Sequence, residues 1–398
     1  MSLVNIISAI GDTSKVYPLV VRDCGIEIPT KVALTYNQNL KDSEEMAKNA
    51  TRERLLDEYS TSFVWLAGGP IINKICSWLI KKSGFYPNIN SNLFKEKQNQ
   101  GIKYNIDKFE KLAPNEVNEM KKVLSNKSTY QKLLAGKFAL STIIPISLIG
   151  FVIPKLNFAL TNKIKESKNN KEVISSKNNN VSFKGISASL ANISDVNRMA
   201  VIDGGYTVGR VATGRNKYER LENGFRLSMM MFLNFVAPIW IAKGLDKFSG
   251  KVFGTNVNLD PKIFADKEFI ELIKSGKLEL PKENIIEYLD NNPNSKFTQL
   301  CKQFCGVKYL KNGVRDPREY INTEKIGKFQ TEIETFISEA KKSNNVDKYA
   351  KKALRVKSAN IFANIGISSF LLAIALPKLT FVLRKIVTGS EAEPGLNN

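Results

Sequence analysis

The chain contains no histidine among its 398 residues. That removes the commonest general base and the commonest neutral metal ligand. Cysteine is scarce as well: Cys24, Cys76, Cys301 and Cys305. Four thiols so spread make no disulfide framework and point to a reducing compartment. Cys301 and Cys305 fall one helical turn apart on one face, but a metal site needs two further ligands, so buried helical cysteines are expected. Convincing runs of alternating apolar and polar residues are missing, so the reading is all-α. The N-terminal MSLVNIISAIGDTSK lacks a basic flank and reaches Asp12 early, which argues against a secretory signal. With no nucleophile–base pair and no metal motif, the chemistry leans to a non-enzymatic role without a cofactor.

What is abundant is positive charge. Lys and Arg number 59 against 38 Asp and Glu, a net +21. Such a surface is drawn to anionic lipid or nucleic acid. Nucleic-acid binding ranks low, because the lysines are spread along the chain and the aromatics lie in apolar segments rather than beside a basic face. The expected partner is an anionic lipid membrane, with a protein partner or a second copy of the chain as further options.

Four apolar segments stand out against a mean hydropathy of −0.20. They are residues 59–80, 138–154, 227–242 and 358–377. A bilayer crossing needs about 17–25 mainly apolar residues. The second and fourth meet this once the residues after Pro154 and Pro377 are counted, and the first and third are marginal. Trp65, Trp78 and Trp240 all lie in the first and third segments, with Trp78 placed near an end as an interface anchor should be. The competing reading is a set of buried core helices in a soluble protein. Pro70, Pro145, Pro154, Pro238 and Pro377 distribute over all four segments, and each helix is expected to kink there. Basic residues flank the segments on both sides, so charge bias sets no orientation. Short, proline-broken helices that dip in and return are a variant.

The order of motifs suggests an internal duplication. PKLNFAL (154–160) and PKLTFVL (377–383) agree at five of seven positions. VVRDCGIEI (20–28) and AVIDGGYTV (200–208) share Asp23 with Asp203 and Gly25 with Gly205. GGPIINKI (68–75) is echoed by VAPIWIAKG (236–244), and YNIDKF (104–109) by VNLDPKIF (257–264). The predicted fold is a helical membrane protein of two tandem helix-pair repeats with Pro-bearing apolar helices. Residues 1–165 form the first repeat, 166–194 a polar linker, 195–390 the second repeat with a helical insertion at about 251–356, and 391–398 a tail. Residues 324–342 read as an amphipathic helix, and 268–276 and 283–293 as short helices. STYQ (128–131) has the pattern of a capping box.

Candidate positions are Asp23, Gly25, Pro70, Pro154, Lys155, Asp203, Gly205, Pro238, Pro377 and Lys378, all as repeat or structural markers. Asp23 and Asp203 read as helix caps. DGGYTVGR (203–210) has glycines at phosphate-loop spacing, Gly204 and Gly209, but lacks the Lys-Ser/Thr pair that reaches phosphate and magnesium, so a turn or helix break is expected. The functional expectation is a structural or interaction role in a membrane, taken to be a bacterial cytoplasmic membrane. The alternatives are a transporter or pore and a soluble basic protein that binds nucleic acid or another acidic partner. The near absence of charge inside the second to fourth segments argues against an ion path.

Overall fold

The computed structural model describes residues 2–40, 43–95, 100–153, 193–212, 217–282 and 284–389. Pro154, Lys155, the rest of PKLNFAL and almost all of the 166–194 linker lie outside these residues, as does the tail. Among the described residues the chain is helical with no strand; the one β-type pairing is the isolated bridge Tyr309–Arg315. The all-α expectation therefore stands.

Among the described residues four helices are long and apolar enough to cross a membrane: Ala47–Lys82, Lys127–Gly150, Arg220–Phe253 and Val346–Val387. Even the shortest, with 24 residues, measures about 36 Å at 1.5 Å per residue, more than the ~30 Å hydrocarbon core. Only 28, 39, 22 and 35% of their most apolar windows is buried. A core helix of a soluble protein would hide most of such a window. Instead Phe63, Ile71, Ile75, Ile144, Trp240, Phe362, Phe370 and Val382 are exposed. That exposure is compatible with helices whose apolar faces meet lipid.

The prolines leave these helices unbroken. A five-residue π-turn ends two residues before each of Pro29, Pro70, Pro238 and Pro377: Asp23–Glu27, Val64–Gly68, Phe232–Val236 and Leu371–Ala375. Another, Leu148–Val152, ends the described part of the second long helix. Proline offers no N–H to the carbonyl four residues back, and its ring crowds that carbonyl. The residue before proline bonds five residues back instead: Ile28 to Asp23, Ala237 to Phe232, Leu376 to Leu371. The wider turn makes room for the ring. Continuous helices of this length contradict the premise of short, proline-broken helices that dip and return.

The chain divides into two compact units. The first comprises Met1–Gly11, Ser77–Ala135 and Ile241–Ala363; the second, Asp12–Cys76, Gly136–Trp240 and Asn364–Asn398. Each draws on both sequence halves. In the first unit, Val257, Ile263, Phe269, Phe297, Ile333, Phe336 and Ala353 belong to one apolar cluster. The amphipathic helix Thr323–Lys342 supplies Ile326, Ile333, Phe336 and Ala340 to it, as its spacing predicts. Lys267–Ser275 and Ile285–Asn291 are the two expected short helices. Cys301 is buried in the same cluster, within the π-turn Cys301–Cys305, and all four cysteines are free thiols.

Three local expectations are corrected. STYQ forms no capping box: its helix starts at Lys127, and Tyr130 is buried, donating to the Tyr86 carbonyl and accepting from the Ile89 N–H. YNIDKF does not precede a helix but lies inside Ile102–Phe109, whereas Asp260 in VNLDPKIF does cap the helix that follows. DGGYTVGR forms neither turn nor break and lies inside Asp195–Ala212. A β-carbon on Gly205 would come within 2.5 Å of Ile146 Cδ1, so close packing explains that glycine.

Candidate functional site

The second unit has a small apolar cluster in which Leu19, Trp65, Leu66, Met199 and Ile202 meet, with Val20, Cys24 and Tyr206 packed against it. This brings together the helical stretch 17–39, the π-turn Val64–Gly68 and the helix Asp195–Ala212. Charged side chains cluster there too. Asp203 is 7% exposed, and its Oδ2 has no hydrogen-bond partner; the same holds for Oδ2 of Asp23. Neither caps a helix: Asp203 sits in mid-helix, and Asp23 lies where Tyr17–Arg22 runs on into a π-turn. The cap expectation is wrong because both carboxylates turn toward helix-packing surfaces.

Burial raises Asp203 to about 8, helped by the negative charges of Asp23 and Glu27. The Trp65 indole N–H opposes this from close by but stops short of a hydrogen bond. Burial likewise raises Asp23 to about 6, with Glu27 adding to it and the Ser62 hydroxyl and Lys31 working against it. Glu27 pairs with Lys31 at 2.7 Å, and Lys31 also reaches Glu58 at 3.6 Å, which Arg54 holds at 2.7 Å. Burial alone would lower Lys31, but Glu27 and Glu58 outweigh it and raise it. Arg22 feels both Glu27 and Asp23 and donates to the carbonyl of Asn234 at 3.2 Å and to its Oδ1 at 2.8 Å. That carbonyl lies four residues before Pro238, so it is the one proline deprives of its helical donor. Arg22, Lys31 and Arg54 thus stand against Asp23, Glu27 and Glu58. A neutral Asp203 leaves the group balanced, and an ionised one leaves it a charge in excess.

Two further polar features lie in the second unit. Arg384 grips Glu222 from two sides, Nε to Oε2 at 2.9 Å and NH2 to Oε1 at 2.5 Å, with both residues buried. Arg198, Lys137 and Cys76 form a separate buried group. In the first unit an open cleft of about 770 Å³ is lined in part by Lys247, Lys342, Lys348 and Lys352. Those lysines are exposed, and the acids beside them are engaged: Glu339 with Tyr349 and Asn256, Asp246 with Lys357 and Asn360.

Of the positions singled out from sequence, Asp23 and Asp203 come together. Gly25 has open space where a side chain would go, and Lys378 is exposed. Pro70, Pro238 and Pro377 each follow a π-turn. Glu27, Lys31, Glu58, Arg22, Arg198 and the Glu222–Arg384 pair went unnoticed in the sequence. Their one visible signal was charge within short apolar stretches such as VVRDCGIEI. Among the described residues no group of Cys, Asp or Glu is arranged to hold a metal ion. No family model, curated protein or solved structure matches the chain.

Proposed function

We propose that the chain is an integral membrane protein built as two tandem repeats, in which the Asp23–Asp203 pair carries a proton for transport across the membrane. The observation that carries this reading is the buried Asp203 carboxyl, with an oxygen that has no partner, close enough to Asp23 to feel its charge. Ionisable groups in the interior of a membrane bundle are costly and by default point to a proton or ion pathway. The repeat is supported by the π-turns: one lies at the same place in the first and third long helices, directly before Gly69-Pro70 and Ala237-Pro238. The second and fourth helices repeat the pattern before Ile153 and Leu376. On this reading the four long apolar helices cross the bilayer of a bacterial cytoplasmic membrane, and the polar parts of the chain face a reducing compartment.

Reconstitution into vesicles carrying an internal pH-sensitive dye tests the proposal. Wild-type protein is expected to move protons under an imposed gradient, and Asp203→Asn to cut that flux at least tenfold at equal incorporation. Wild-type flux no greater than that of empty vesicles overturns it. The second reading, a structural or interaction role at an anionic lipid surface, alone or with a protein partner, is favoured by the exposed apolar helix faces ending in lysines. Lys82, for example, lies 3.9 Å above the ring of exposed Trp78.

A further inference from the structure

Arg198 is 2% exposed, yet its Nε and NH1 make no hydrogen bond. An unsatisfied buried guanidinium is among the costliest arrangements a protein can hold. Its surroundings deepen the cost. Lys137, also buried, is close enough for the two positive charges to repel. Among the described residues, Asp195 is the carboxylate that eases the Arg198 charge, and it is exposed. Helices from three parts of the chain converge here: a β-carbon on Gly69 would sit 3.5 Å from Arg198 Cδ and 3.6 Å from the Ser141 carbonyl oxygen. Pro145 supplies no N–H to that carbonyl, but neither free nitrogen of Arg198 bonds to it. The Ser141 and Thr142 hydroxyls are committed to the Phe138 carbonyl. The protein has brought two cations into a low-dielectric interior and left donors on one of them unused.

We infer that Arg198 and Lys137 form a binding site for a phosphate-class oxyanion, with the Arg198 guanidinium as its principal donor. A planar guanidinium suits two oxygens of one anion, and the neighbouring ammonium adds a point charge. A phospholipid headgroup and a free oxyanion present the same chemistry, and the experiment separates them. The site is distinct from the Asp23–Asp203 pair and stands or falls independently of proton transport.

The test uses the full chain, purified in detergent and stripped of lipid. Its thermal midpoint is followed against inorganic phosphate, and separately against mixed micelles containing phosphatidylglycerol, at matched ionic strength with chloride as control. A saturable rise in one arm is expected. Response to phosphatidylglycerol alone identifies a lipid headgroup, and response to inorganic phosphate identifies a free oxyanion. Arg198→Gln should weaken the response about tenfold or more, as loss of charged hydrogen bonds implies. Arg198→Lys should retain part of it. If Arg198→Gln does not fold, Lys137→Gln serves as the second variant, with a smaller loss expected. The inference is overturned if neither arm gives a saturable rise beyond chloride, or if the glutamine variants respond like wild type.

Discussion

The region from Val257 to Ala353 and the interior of the second unit solve the packing problem in opposite ways. In the first, large side chains such as Phe269, Phe297 and Phe336 are fully enclosed, and helices begin on capping side chains: Asp260, Asp266, Asn284, Ser295 and Asn322. Helix Lys267–Ser275 ends on Gly276 in the left-handed conformation, at φ 66°. In the second, the helices starting at Tyr17, Ile28 and Leu376 have no side-chain cap and carry proline in the first turn instead. Beside its enclosed apolar residues, the interior of that unit buries charges, among them Arg22, Glu27, Asp203, Glu222 and Arg384. Water rewards burial of apolar surface and competes for helix ends, so a water-soluble core needs both enclosure and caps. A bilayer does neither: helices in lipid keep their apolar faces outward and are joined by polar contacts inside, and the exposed apolar helix faces are compatible with that setting.

The contrast can be broken in several places. The largest effect is expected at Phe336, whose side chain is fully enclosed. Phe336→Ala should cost about 3–5 kcal/mol in denaturant unfolding of the protein. A cost near zero would mean that the cluster is not a hydrophobic core in this sense. In the second unit the corresponding weak point is an ion pair. Glu222→Gln removes the charge that Arg384 grips and should cost about 3 kcal/mol, whereas changing both residues to leucine should recover most of it. A double variant as unstable as the single one would show that the pair is not an electrostatic unit.

pH should separate the two regions next. Folding raises Asp203 from 3.8 to about 8 and Asp23 from 3.8 to about 6. The native state therefore binds protons that the unfolded chain has released. This contribution is fully present below pH ~4, declines as pH rises, and is gone above the raised values, a change on the order of a few kcal/mol. Unfolding midpoints measured between pH 5 and 9 should fall with pH in wild type and flatten in Asp203→Asn. An equal slope in both would remove Asp203 from the account. A smaller effect is expected at a cap: Asp266→Ala loses the bond to the Phe269 N–H and should cost about 1 kcal/mol in the same assay. The smallest belongs to the exposed apolar helix surface. Trp240→Ala, at a side chain 64% exposed, should change stability in detergent by less than about 0.5 kcal/mol. A loss of several kcal/mol would place Trp240 in a buried contact instead.

Much of the fold was legible because it rests on local signals. Ile326, Ile333 and Phe336 recur at helical spacing, and the structure buries all three. The four apolar segments were visible as composition, and the long helices include nearly all of their described residues. The candidate site was legible only in fragments. Asp23 and Asp203 could be picked out as echoes of each other, but a carboxylate in a helical stretch looks the same whether it caps, faces water or turns inward. Glu27, Lys31, Glu58 and Arg22 gave still less, because their meaning lies in partners as many as 212 residues away.

By itself, then, the chain determined its helices, its apolar spans, its missing histidine chemistry and its positive charge. Each follows from residue type and spacing along one strand of polymer. Tertiary structure alone decided which charges are buried together and that Arg198 is enclosed with unused donors. Those depend on what packs against each helix face, and a low-dielectric interior magnifies every such placement into a large free energy.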